Sequence, residues 1–216
     1  MNRLFGEQHK SLVAWLSGSW WQDGRPIAAI QGFPGLGKTV IAEHVLAEIA
    51  KHSPNITTVH IDCPEASATL VDDLVLSLAE ELDAKGDGEV AEALGQGLDA
   101  EGVFRKLLTR PRLIVLDESQ RLMVEINGTP KNKQIDRILE YLSHAAGLPG
   151  RVLLLSSREF GGGRWEERAD TVTLNPLKPK DAQDYLKALL DEDERADAIP
   201  ADRIGDVASW LAACRT

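Results

Sequence analysis

The sequence predicts an α/β protein built on a parallel β-sheet with helices on both faces. Short apolar runs alternate along the chain with segments of helical periodicity, the pattern of such a sheet. The run Arg112-Leu113-Ile114-Val115-Leu116 is apolar after its first residue, as in a strand buried on both faces. The run Gly32-Phe33-Pro34-Gly35-Leu36-Gly37-Lys38-Thr39 fits G-x-x-x-x-G-K-[ST], a phosphate-cradling loop. It follows the apolar run 26–30 and precedes a helical pattern with Ile41, Val45 and Ile49 on one face.

Taken in order, Glu7 to Leu16 reads as a short helix with Leu12, Trp15 and Leu16 apolar. Ser17 to Arg25 reads as a loop whose Trp20 and Trp21 cap the core or meet a neighbouring domain. The first strand and the phosphate loop follow. Ile56 to Ile61, rich in β-branched residues, is the second strand. Ser67 to Leu82 is a helix with Leu70, Leu74 and Leu78 in register. Ala84 to Gly102, rich in Gly, Asp and Glu, is a loop with at most a short helix, and Val103 to Leu108 ends a further helical stretch. After the third strand, Val124 to Lys133 is polar loop, and Ile135, Ile138, Leu139 and Leu142 mark a helix. Val152 to Leu155 is the fourth strand, Gly161 to Gly163 a flexible loop leading to Trp165, and Thr171 to Leu174 the fifth strand. Pro179 to Leu190 is a helix, and Ile204, Val207, Ala208 and Leu211 mark a last one.

Composition bounds the function. The chain has 216 residues, enough for one α/β domain with a short appendage. At 43% hydrophobic and 27% charged it has the balance of a soluble globular protein, with no apolar run long enough to span a membrane. The start lacks the layout of a signal peptide. Two cysteines, Cys63 and Cys214, are too few for a disulfide framework and read as reduced and cytosolic. A net charge of −10 argues against broad nucleic-acid binding, which needs a basic face. On charge alone, nucleic acid is an unlikely partner, and no membrane partner is expected.

The candidate site starts at the phosphate loop. Gly32, Gly35 and Gly37 let the backbone close around phosphates, and the loop N–H groups with the helix N-terminus form an anion nest. Lys38 is expected to reach the β- and γ-phosphates and Thr39 to place its hydroxyl on Mg²⁺. Pro34, Leu36 and Val40 complete the expected nucleotide contacts of this segment. The third strand ends in Asp117-Glu118, at the carboxyl edge where parallel sheets bind ligands. Asp117 suits Mg²⁺ holding, and Glu118 suits polarising the attacking water. The fourth strand ends Leu155-Ser156-Ser157-Arg158. If that strand lies between the first and third, Arg158 is a γ-phosphate sensor, and Ser156 or Ser157 the residue that holds the water. Asn132-Lys133-Gln134-Ile135-Asp136 imitates the guanine-reading N-K-x-D but has one residue too many and follows no strand, which favours adenine. His44 and His60 are not at metal-ligand spacing with Cys63 and read as packing or surface residues.

These motifs resemble the NTPase domain of STAND proteins, of the NB-ARC and NACHT types among AAA+ relatives. The resemblance begins at Leu4-Phe5-Gly6-Glu7-Gln8, similar to the family's F-x-G-R-E opening, with Glu7 and Gln8 where an Arg-Glu pair is usual. It continues through the phosphate loop, Leu116-Asp117-Glu118 and Ser156-Ser157-Arg158. It ends at Leu174-Asn175-Pro176-Leu177, similar to L-x-P-L, ahead of Asp181 and Ala182. It implies strand order 5-1-4-3-2, ATP or ADP with Mg²⁺, and adenine contacts from Phe5, Gly6 and Pro176. It also implies a P-loop NTPase domain over 1–178, the start of a helical lid over 179–216, and effector and sensor domains outside this chain.

The leading expectation is therefore a slowly hydrolysing ATP switch of a signalling or defence protein that self-associates with nucleotide. The alternative is an AAA+ ATPase acting on nucleic acid. Asp117-Glu118-Ser119-Gln120-Arg121-Leu122 resembles the D-E-A-Q-x-L stretch of transposition and helicase-loading factors, and Arg151, Arg164 and Arg168 are the nearest arginine-finger candidates. A third reading is a nucleotide-holding scaffold with negligible turnover.

Overall fold

A computed structural model of the chain describes residues 4–65, 69–145, 147–192, 203 and 205–207. Five parallel strands form one sheet in the order β2-β3-β4-β1-β5, the order implied above. They are β1 (Ile27–Gln31), β2 (Thr57–Asp62), β3 (Arg112–Asp117), β4 (Arg151–Ser156) and β5 (Asp170–Thr173). The helices are α1 (Glu7–Trp15), α2 (Trp21–Asp23), α3 (Lys38–His52), α4 (Leu70–Asp83), α5 (Glu89–Gly95), α6 (Ala100–Leu107), α7 (Lys133–His144) and α8 (Pro179–Glu192).

The apolar runs are continuous because successive side chains enter different cores. Leu113 and Val115 of β3, with Leu153 and Leu155 of β4, join α1 and α3 in one layer. Ile114 and Leu116, with Val152 and Leu154, join α4 to α7 in the other. Truncating one of these buried leucines to alanine costs about 2–5 kcal/mol. The edge strand β5 alternates half-buried and exposed residues instead.

One segment read as loop is helical, and 84–102 holds the short helix allowed for it together with the start of the next. The chain does not leave the helix at Ser17: a π-turn over Leu16–Trp20 carries it into α2. The driving force is Trp20, only 1% exposed, which the extra turn delivers to the layer shared with Leu16 and Ile30. Trp20 therefore packs in the core. Within 84–102, Val90 and Ala93 bury on α5. Asp99 caps α6 by accepting from the Gly102 N–H at 2.9 Å. Arg112, 1% exposed, holds the start of α5 to the start of β3 by pairing with Asp87 and, at 2.9 Å, with Glu89.

Trp165 is buried edge-to-face against Phe160 at 5.2 Å, so it packs locally. Asn132 explains the false guanine motif: its side chain caps α7, accepting from the N–H groups of Gln134 and Ile135. Ser67, the expected start of α4, and Ile204, Ala208, Leu211 and Cys214 lie outside the described residues. No helix among the described residues is long and apolar enough to cross a membrane.

Candidate nucleotide site

The phosphate loop joins β1 to α3. Gly32 has φ 152°, and a Cβ there would lie 3.0 Å from the Leu174 carbonyl and 3.1 Å from the Leu36 side chain. Gly37, the residue before α3, is left-handed at φ 83°. Both positions therefore demand glycine. The Lys38 ammonium donates to the carbonyls of Gly32 at 2.7 Å and Phe33 at 2.9 Å, which curls it over the loop. Burial lowers its pKa, and Asp117 and Glu118 oppose that shift.

Strand parity delivers the carboxylate. Asp117 follows Leu113 and Val115 on the face covered by α3. There Thr39 donates to Asp117 Oδ2 at 2.6 Å. Burial pushes the Asp117 carboxyl up. Hydrogen bonds from His60, Thr39 and the Glu118 N–H outweigh it and hold the carboxyl below its usual range. Thr39 and Asp117 thus offer a hydroxyl and an ionised carboxylate, hard oxygen donors that fit Mg²⁺.

His60, expected to be a packing or surface residue, belongs to this constellation. Its Nε2 lies 3.4 Å from Asp117 Oδ2, and that contact raises its pKa against the effect of burial. Its signal in the sequence was indirect, because its partner lies across the strands rather than along the chain.

Glu118 adopts φ 52°, the one positive φ outside glycine among the described residues. Such a conformation persists only where surrounding contacts impose it. Gln120 supplies them: its amide nitrogen donates to the Glu118 carboxylate, and its oxygen accepts from the Ser157 N–H at 3.0 Å. Gln120 thereby ties the ends of β3 and β4 together. Ser119 reinforces the tie by donating to the Leu155 carbonyl at 2.7 Å. Ser156 donates to the Arg158 carbonyl at 2.6 Å. Arg158 does follow the strand between β1 and β3, but its exposed guanidinium lies 3.5 Å from Glu125.

Beside the loop lies an apolar cavity of about 250 Å³, lined by Phe5, Leu36, Val40, Pro176, Leu177 and Tyr185 among others. Phe5 and Tyr185 meet edge-to-face at 5.2 Å. Gly6 sits behind its wall, where a Cβ would come within 3.0 Å of Leu177. Gln8 fastens the wall by donating to the Thr173 carbonyl and accepting from the Asn175 N–H. His9, which sequence reasoning passed over, donates from Nε2 to the Leu36 carbonyl at 2.8 Å and lines the same cavity. Pro34 and Gly35 form the exposed tip of the loop.

A glycine-lined phosphate loop, a facing carboxylate and a parallel sheet of this order define a P-loop NTPase fold. The chain belongs to the AAA domain family, whose model matches residues 22–159. No curated protein matches. Among solved structures, domain III of the Thermotoga maritima replication initiation protein DnaA is similar at TM-score 0.56 and 16% identity, over 93% of this chain and 74% of that one. Drosophila ORC bound to DNA is similar at 0.59 and 17%, over 94% of this chain and half (50%) of that one. The FIGL-1 AAA domain in complex with ADP is similar at 0.51 and 17%, over 95% and 64%. At these identities the likeness is one of fold.

Two expectations change. The family match is to the AAA domain, and nothing in it is specific to STAND or NB-ARC proteins. The expectation that nucleic acid is an unlikely partner, drawn from net charge, is overturned: a solved structure of this fold is Drosophila ORC bound to DNA. Net charge averages over a whole surface, whereas contact with nucleic acid needs only one local face.

Proposed function

We propose that this chain is an ATP-binding and ATP-hydrolysing AAA module that works on nucleic acid. One observation carries the nucleotide reading: Lys38, Thr39 and Asp117 converge at the carboxyl edge of the sheet, next to an apolar cavity suited to a base. The loop N–H groups and Lys38 bind the phosphates, and Thr39 and Asp117 hold Mg²⁺, which neutralises phosphate charge when bound. Glu118 orients and deprotonates the attacking water. Arg158, just after the strand between β1 and β3, serves as γ-phosphate sensor once released from Glu125. Phe5, Val40 and Pro176 flank adenine, and α8, which brings Tyr185 to the cavity, begins a helical lid over that end.

The nucleic-acid part is supported by the fold neighbours that act in replication initiation or are bound to DNA, and by the D-E-S-Q-R-L stretch after β3. It is preferred to a STAND-type signalling switch, the second reading. Measuring ATPase rate with and without DNA tests the choice. Stimulation of several-fold supports the nucleic-acid reading, and an unchanged rate favours the switch. Full ATP affinity in Lys38→Ala would overturn the site itself.

A further inference from the structure

We propose that His60, Asp62 and Asp117 form a divalent-metal site that takes a nitrogen-accepting ion of the Zn²⁺ or Co²⁺ kind. The proposal rests on the reading of Asp117 as a cation holder, and extends it to two residues outside the phosphate-loop pair.

Parity and register bring the three together. Val59 and Ile61 enter the layer packed on α4, so His60 and Asp62 point to the opposite face, where Asp117 also points. The pairing of β2 with β3 sets Asp62 directly opposite Asp117. Neighbouring strands lie about 4.8 Å apart. Two carboxylates so placed repel one another and destabilise the pair. A divalent ion between them converts that repulsion into ligation.

The distances suit such an ion. One donor atom from each of the three residues lies within 4.8 Å of the others. His60 Nε2 and Asp117 Oδ2 are 3.4 Å apart. Two donors on a tetrahedral ion with bonds of ~2.0–2.1 Å are separated by about 3.3–3.4 Å. Mg²⁺ binds oxygen ligands in near-ideal octahedral geometry, so an imidazole in the set selects against it and for Zn²⁺ or Co²⁺. A cavity of about 500 Å³ lined by Thr39, Glu80 and Glu81 among others opens on His60 and Asp62 of the group. Its acidic rim concentrates cations at the entrance. Three protein donors leave a further coordination position open, as in reactive rather than purely structural metal sites.

The test uses the full chain, stripped with chelator and free of nucleotide, titrated with Co²⁺ alone and followed by calorimetry and visible d–d absorption. The expected result is uptake of one Co²⁺ per chain, displaced by Zn²⁺, with His60→Gln and Asp62→Asn each weakening it about 10-fold or more. His52→Gln, at an exposed helix end, leaves it unchanged. Absence of saturable uptake, or uptake indifferent to both His60→Gln and Asp62→Asn, overturns the proposal. Magnesium–ATP binding by the same preparation separates the two readings. If Co²⁺ uptake fails while ATP binds, the metal site is wrong and the nucleotide site stands. If ATP fails while Co²⁺ binds, the reverse holds.

Discussion

The two ends of the candidate nucleotide cleft are built on different plans. The phosphate end is polar and made from the carboxyl ends of central strands, so its groups inherit the rigidity of the sheet. The base end is apolar and assembled from segments far apart in sequence, Leu4 to His9 and Pro176 to Tyr185, held by Gln8 and one edge-to-face ring pair. The difference teaches where affinity and specificity separate. In the proposed nucleotide complex, charge and hydrogen bonds would fix the phosphates through a scaffold that hardly yields. The base would be gripped by side chains whose packing can alter without disturbing the loop.

Breaking each end in turn tests this division. Glu118→Gln should have the largest effect, cutting ATP turnover by about 10²–10⁴-fold while ATP affinity stays within a few-fold, as single-turnover and calorimetric measurements would show. Equal losses in both quantities would count against a role confined to hydrolysis. Lys38→Ala should weaken ATP and inorganic tripolyphosphate alike by about 100-fold, ~2.7 kcal/mol, because it removes a charged donor from the phosphates. Tyr185→Ala sharpens the contrast. It should weaken ATP by about 5–10-fold, the order of an aromatic contact, and leave tripolyphosphate unaffected. A matching loss for tripolyphosphate would show that the two ends are one unit.

The smallest effect concerns pH. With metals chelated, the contact between His60 and Asp117 holds the imidazole above its ordinary 6.5 and the carboxyl below its ordinary 3.8. The His60 contribution is complete below 6.5 and is lost as pH rises through its raised folded value. The Asp117 contribution is complete above 3.8 and is lost as pH falls through its lowered folded value. The pair is therefore worth most in the mildly acidic range. His60→Ala should lower Tm by about 2–4 °C near pH 5.5 and by less near pH 8.5. The opposite ordering would show that burial of the imidazole, not its charge, dominates.

Much of the phosphate end was legible because its residues are contiguous. Gly32 to Thr39 is one loop, and Asp117-Glu118 announces itself by ending an apolar run. The strand order came from resemblance. The base end was legible only in part. Phe5 and Pro176 were anticipated from family-like motifs, whereas His9 carries no local signature and acquires its place through the Leu36 carbonyl. His60 was missed for the same reason, since spacing along the chain says nothing about a neighbour across strands. Helix content was underestimated where Ser17-Gly18-Ser19 imitates a loop, yet Trp20 buries at helical spacing. Tertiary burial overrode local propensity there. Arg158 was placed by its strand, but its side-chain partner Glu125 sits in a loop that no pattern addresses.

The anchoring of Arg112 makes β3 a gauge of fixed length. One end is clamped by Asp87 and Glu89 to α5, and the other presents Asp117 to Thr39. Five residue steps, about 17 Å of strand, separate the two. Removing any one residue between them would turn the carboxylate to the opposite face of the sheet while leaving the net charge unchanged. Insertions and deletions are therefore far more damaging in this short run than most substitutions, and the spacing from arginine to aspartate is itself a functional dimension of the protein.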